Sequence, residues 1–208
     1  MKELKVTEFI DKLASNEPTP GGGAAAGVTA GLGIGAILMA MIFSNTDKLS
    51  EEDRTFLTGK IAEFEESKEV FVQIVDRDAT EFEPLSQAYG LPRVTDEDKR
   101  ERQDAIQKGL QIASQPPIDL IKEVEKILAG FDQILPLIKK IIISDVGVGL
   151  QMLKSAVHAS SLNLYINGGQ LLDEALRAEY YALANEKVEE LSQKLETYYQ
   201  EVKSVLVK

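Results

Sequence analysis

From Pro18 to Thr46 the chain carries no charged residue, and Ala24 to Phe43 is almost wholly apolar. A helix of that length runs about 30 Å and has no polar face to offer water, so it is either buried within a fold or laid across a bilayer. Glycines at 23, 27, 31 and 35 recur every four residues. That spacing lines small residues along one side of a helix and lets a second backbone come close, in membranes as in soluble bundles. Two features favour the soluble case. Gly and Ala are weakly hydrophobic, and no basic cluster flanks either end of the stretch. The expectation is a central packing helix and no membrane span.

The rest of the chain supplies helices for it to pack against. Phe9, Ile10 and Leu13 mark a short helix after Thr7, ended by Ser15-Asn16-Glu17-Pro18. Ser50 caps a long one, with Glu51, Glu52 and Asp53 on its positive end. Along it Leu57, Ile61, Phe64, Lys68, Phe71, Val75, Asp78, Phe82 and Leu85 follow alternating steps of four and three. Thr95 and Asp98 form a capping-box start, and Pro116-Pro117 closes that helix and opens the next, which Pro136 breaks. Ser144 or Asp145 is the natural cap of a helix ended by Asn167-Gly168-Gly169, and Leu172 to Val202 outline a long last one. Ile141 to Ile143 has the makings of a short strand but no partner. The fold expected is all-α, a single-domain helical bundle over residues 1–208 with a central Gly/Ala-rich helix.

A net charge of -11 opposes nucleic acid and anionic membrane. With no cysteine there is no disulfide and no thiolate, and the single histidine, His158, has no second histidine with which to hold a metal. A reducing, cytoplasmic setting fits, and Met1-Lys2-Glu3-Leu4-Lys5 has no apolar stretch of signal-peptide kind behind it.

Two of the nine seam positions on the long helix are charged. Asp78 is the pointed one, because burial lifts a carboxyl into the range useful for acid-base work. The alternative is a structural ion pair, with Lys68 or a partner helix, while Asp76 and Glu81 point elsewhere. The Gly21-Gly22-Gly23 turn opens a helix and exposes backbone N–H groups to a carboxylate or phosphate, or else serves packing alone. No strand precedes it, which argues against a dinucleotide fold. Asn163 and Asn167, with Ser160 a turn earlier, form a polar stripe suited to a heterocycle or to capping a neighbouring backbone. Lys139-Lys140 is weak evidence for an anion site.

Together these motifs resemble a known family. Pro18-Thr19-Pro20-Gly21-Gly22-Gly23-Ala24, then Asp76-x-Asp78-Ala79 with Phe82, then Ser144-Asp145-x-Gly147-Val148 with Asn163 and Asn167, stand in the order found in the cyclodeaminase domain of formiminotransferase-cyclodeaminase and in stand-alone methenyltetrahydrofolate cyclohydrolases. The resemblance implies an all-α homodimer that binds a folate derivative near the subunit interface. It acts on the N5/N10 one-carbon bridge of tetrahydrofolate, with no cofactor beyond that substrate and no metal. It implies Asp78 as the catalytic acid-base, and Gly21, Gly22, Gly23, Thr46, Ser144, Asp145, Asn163 and Asn167 as substrate contacts. The family commonly has several lysines after its glycine helix and a Gly-Asn pair before Ser-Asp. Here Asn45-Thr46-Asp47-Lys48-Leu49 and Ile138-Lys139 stand in those places, which motivates the rival expectation of an inactive binding or scaffold protein with the same fold.

Overall fold

The structure is a computed structural model that describes residues 1–207, and the described residues are helices and turns with no strand. In chain order the helices are α1 (Val6–Leu13), α2 (Gly22–Ser44), α3 (Glu51–Tyr89), α4 (Asp96–Ala113), α5 (Gln115–Leu128), α6 (Phe131–Ile134), α7 (Ile143–Gly168), α8 (Glu174–Ala182) and α9 (Val188–Leu206). A 3-10 turn, Leu135–Leu137, carries Pro136.

The uncharged stretch is indeed one helix, α2, and it lies between α3 and α7, its two most extensive partners. Both run antiparallel to it. Gly23 faces Asp78, Gly27 faces Phe71 to Val75, and Asn45 bonds Thr58 on α3, while Gly33 faces Gly149 to Leu153 and Ser44 accepts the Lys139 N–H on the α7 side. By length and apolarity α2 is the one helix among the described residues that would reach across a bilayer, and half of it is buried inside the fold.

The expected glycine ridge divides between two faces. A step of four residues turns a helix by 400°, so each glycine drifts about 40° from the last. Gly23 and Gly27 therefore meet α3, whereas added side chains at Gly31 and Gly35 would meet nothing. The closest approach to α7 uses Gly33 instead: a Cβ on Gly149 would lie 2.5 Å from the Gly33 carbonyl oxygen.

The α3 seam buries Leu57, Phe64, Phe71, Val75 and Leu85, and leaves Ile61 and Phe82 partly covered. Its first turn is capped by Ser50, and α4 begins with the Thr95/Asp98 box. Elsewhere the sequence expectation needs correction. Lys5 precedes α1, which turns only Phe9 inward, so Ile10 and Leu13 are exposed. Neither Ser144 nor Asp145 caps α7: the helix starts two or three residues earlier, with Ile142 at the cap position and no side-chain cap bond among the described residues. Ile141 to Ile143 is turn and helix start, since no neighbouring strand exists to take its backbone groups. The last helix is interrupted by a π turn at Leu183–Lys187 between α8 and α9.

Candidate functional site at the opening of the central helix

Gly21 ends an extended segment and serves as the cap of α2, with no side chain to accept its first N–H groups. Such groups need partners when water is scarce. The partner comes from α3: the Ala24 N–H donates to Asp78 Oδ2 at 2.9 Å. Asp78 is thus a cap supplied from another helix, and its negative charge sits on the positive end of α2, where the charge is favoured.

The approach is tight because position 23 has no side chain. A Cβ there would lie 1.9 Å from Asp78 Oδ1 and 2.6 Å from its Cγ. By contrast Gly21 and Gly22 face open space, so the turn leaves room beside the carboxylate. Burial pushes the Asp78 carboxyl above the usual carboxylate range, the Ala24 N–H pulls it back, and the charge of Glu81 one turn on adds to the rise. Neither expected ion pair forms. Lys68 pairs with Glu65 and Glu69, and Asp78 has no cation partner among the described residues.

Its neighbours are engaged and not simply solvated. Asp76 receives the Met1 ammonium at 2.5 Å and the Lys2 N–H at 3.1 Å, which holds its carboxyl below the usual range and fixes the N-terminal segment beside the turn. Arg77 donates to Glu81 at 2.6 Å and to Asp119 of α5 at 2.8 Å, so its charge is shared by two carboxylates and Asp78 takes none of it.

Extended ten residues beyond its contacts at Gly33 and Leu153, the antiparallel register sets Asn163 of α7 level with Gly21 to Gly23; Asn163 is half-buried and has no hydrogen-bond partner among the described residues. Asn167, one turn on, is buried and donates its amide to Ser114 Oγ at 3.1 Å, tying α7 to the α4–α5 junction. Ser160 is buried as well. The sequence stripe therefore separates into one open asparagine and one engaged within the fold.

Thr46, Ser144 and Asp145 lie toward the other end of α2. Ser144 stands beside the stretch between Ile37 and Ser44, about 20–30 Å along the helix from Ala24 at 1.5 Å per residue. From there a cleft of about 490 Å³ between α2, α7 and α9, lined by Ser144, Gln151, Ser155, Tyr199 and Lys203, runs back to Thr29 of α2, about 7.5 Å along the helix from Ala24, and Asp78 does not line it. The Thr46 hydroxyl is buried without a partner among the described residues. Lys139 Nζ donates to the Phe43 carbonyl at 2.9 Å and sits over its ring. One chain thus joins Asp78 to the Gly21-Gly22-Gly23 turn at one end of α2, with Asn163 at the same level on α7, and has Thr46, Ser144 and Asp145 toward the other.

Sequence reasoning missed that Asp78 is the cap of α2. The signal was present, in a helix opening with three glycines and no Ser, Thr, Asp or Asn to cap it, but the partner lies 54 residues away. His158, exposed on α7, meets Ser192 Oγ at 3.0 Å, and among the described residues no group of three or more His, Asp or Glu is placed to hold a metal.

Comparison with known proteins adds the remaining observations. Residues 5–189 match the family model described as formiminotransferase-cyclodeaminase. A methenyltetrahydrofolate cyclohydrolase of Methylorubrum extorquens is 28% identical over 199 residues, covering 96% of each chain. A formimidoyltransferase-cyclodeaminase of Gallus gallus is 26% identical over 185 residues, and the match spans only 34% of that longer protein. Among solved structures, a formiminotetrahydrofolate cyclodeaminase from Thermotoga maritima superposes with a TM-score of 0.80 over 99% of this chain and 96% of that one, at 23% identity.

Proposed function

The chain belongs to the formiminotransferase-cyclodeaminase family, and from that premise we propose that it acts on the one-carbon bridge between N5 and N10 of a tetrahydrofolate. The likeness to the cyclohydrolase runs the length of both chains, which favours hydrolysis of the methenyl bridge to the 10-formyl form. Closure of 5-formimino-tetrahydrofolate with loss of ammonia is the second reading, supported by the match to the vertebrate formimidoyltransferase-cyclodeaminase.

The observation that carries the proposal is Asp78, a carboxyl raised by burial and held beside an open glycine turn. In hydrolysis its carboxylate takes a proton from water as the oxygen joins the bridge carbon. The carbon becomes tetrahedral. The neutral acid then returns the proton to N5 as the N5–carbon bond breaks, and the hydroxyl on the tetrahedral carbon gives up its own proton to solvent as the C=O forms, leaving the formyl group on N10. In deamination the carboxylate takes the N10 proton as N10 joins the carbon of the protonated formimino group, and the neutral acid then passes it to the nitrogen, which departs as ammonia to leave the methenyl bridge. A group that must hold a proton briefly near neutral pH gains from a raised pKa. Gly21 and Gly22 leave space for the substrate at the end of α2, and Asn163 supplies a hydrogen-bonding amide to the heterocycle.

The rival, an inactive binding protein, draws on the same bond: Asp78 already has structural work as the cap of α2. Asp78→Asn separates the two, since the amide oxygen can still accept from Ala24 while no proton can be transferred. Turnover of methenyl- and formimino-tetrahydrofolate, followed by absorbance, should fall by about 100-fold or more with the fold intact. Unchanged turnover removes Asp78 from the mechanism, and binding without turnover in the unaltered protein favours the rival.

The working form we propose is a cytoplasmic homodimer. α2 leaves a stripe of Leu32, Met39, Ile42 and Phe43 about half exposed, continuous with the open Gly31 and Gly35, and a second copy of the same uncharged helix is the complementary cover. A dimer also offers a means of joining the Ser144 end of one copy to the Asp78 end of the other. Ile42→Glu should yield a monomer by light scattering, and a dimer that survives it would place the interface elsewhere.

A further inference from the structure

The turn between α3 and α4 carries a feature that the Asp78 site does not use. A cavity of about 350 Å³ there is lined by Arg93, Lys99, Arg102, Gln103 and Ile106, three cations and no acid, on a chain of net charge -11. The arrangement follows from how α4 divides its charges. At about 100° per residue, Lys99, Arg102, Gln103 and Ile106 fall within an arc of about 100°, and Glu97, Glu101 and Asp104 fall on the opposite side. These three acids of α4 therefore point away from the cavity. Two other carboxylates lie near, and both are engaged: Asp96 with Lys99 at 2.8 Å, Asp98 with the N–H groups of Val94 and Thr95.

Lys99 is compensated by Asp96, but the two arginines are not. Arg93 and Arg102 have no ion pair among the described residues. Arg102 makes one long bond, from Nη2 to the Tyr89 carbonyl at 3.4 Å, and its Nε–H is buried without an acceptor. Two guanidiniums and an ammonium around one cavity match an anion with several charged oxygens better than a single carboxylate, since each guanidinium can offer paired N–H groups. The place is separate from the first site: Arg102 meets α3 at Tyr89, about 16 Å along the helix from Asp78.

We propose that the α3–α4 turn is a binding site for a small multivalent anion of the oligocarboxylate or oligophosphate class, held by Arg93, Lys99 and Arg102. Occupancy would tie the exposed Gly90 to Thr95 connection to α4. The proposal does not depend on the folate reading.

The test is thermal unfolding of the full chain with citrate or with tripolyphosphate, each against sodium chloride at matched ionic strength. The expected result is a rise in Tm with one or both probes at millimolar concentration beyond the salt control. A response to citrate alone assigns the site to carboxylates, and a response to tripolyphosphate alone assigns it to phosphates. Arg93→Gln and Lys99→Gln, both at exposed positions, should each weaken the response about fivefold, and the pair together should abolish it. Arg102→Gln should do the same if it folds, and the exposed pair decides if it does not. No shift beyond the salt control, or a shift retained in Arg93→Gln/Lys99→Gln, overturns the proposal.

Discussion

Gly23→Ala tests the central contact of the site most directly. The added Cβ would stand 1.9 Å from Asp78 Oδ1, well inside the 3.0 Å that real Cβ atoms keep, so the carboxylate must retreat by about an ångström. Its 2.9 Å bond with the Ala24 N–H cannot survive that movement. Losing a hydrogen bond to a charged group costs about 1.5–3 kcal/mol, and Ala in place of Gly returns up to about 1 kcal/mol of helix propensity. With that full return the net cost is about 0.5–2 kcal/mol, a fall in Tm of about 1–8 °C for a chain of this size. Gly22→Ala is the control, because its Cβ meets nothing, and it should be neutral or slightly stabilising. Urea unfolding of Gly23→Ala in the native and the Asp78→Ala backgrounds measures the coupling. With the carboxylate gone, the alanine should cost nothing. If Gly23→Ala is as stable as Gly22→Ala, or costs the same without Asp78, the contact does not have the energy assigned to it.

The α2–α7 crossing gives a second expectation. A Cβ on Gly149 meets the Gly33 carbonyl oxygen and Ile37 at 2.5 Å, so Gly149→Ala should cost about 1–3 kcal/mol in denaturant melts. Adding Gly33→Ala to helices already forced apart should cost less than it does alone, and strict additivity would argue against a shared crossing. On the acid side, Lys154 of α7 holds Glu196 of α9 at a pKa of about 2, below its ordinary 4.5. That contribution is complete above pH 4.5 and is lost as pH falls toward 2, so Glu196→Gln should flatten the acid limb of the stability curve over that range. Asp78 has the opposite sign. Its folded pKa is raised, so its ionisation subtracts stability as pH rises from about 3.8 through the folded value. Asp78→Asn should therefore gain on the unaltered protein between pH 3.5 and 7, and a difference independent of pH would contradict the shift.

Much of the architecture was legible because hydrophobic period and capping are local. The α2 bounds, the Ser50 and Thr95 starts, the Pro116-Pro117 junction and most of the α3 seam follow from neighbours a few residues apart. Geometry between helices was not. A four-residue glycine spacing does not say that the ridge turns from α3 toward open space, nor that Gly33, outside the ridge, makes the crossing with α7. The π turn at Leu183–Lys187 leaves the apolar pattern intact on both sides and so has no sequence mark. Within the site, Asp78 stood out as a charge on an apolar seam, yet its bond to Ala24 depends on the antiparallel register of α2 and α3. Asn163 and Asn167 look equivalent at a spacing of four, and only Ser114, brought over by the α4–α5 junction, separates them.

The cap that joins Asp78 to Ala24 also makes the backbone of α2 sensitive to a proton. An ionised carboxylate accepts a charge-assisted bond and a neutral acid accepts a weaker one, so each proton taken up by Asp78 loosens the first turn of α2, and each proton released tightens it. The Ala24 amide is consequently a built-in indicator. Its resonance position and exchange rate should titrate with a side chain 54 residues away, reading the charge of the carboxyl without any label placed in the site.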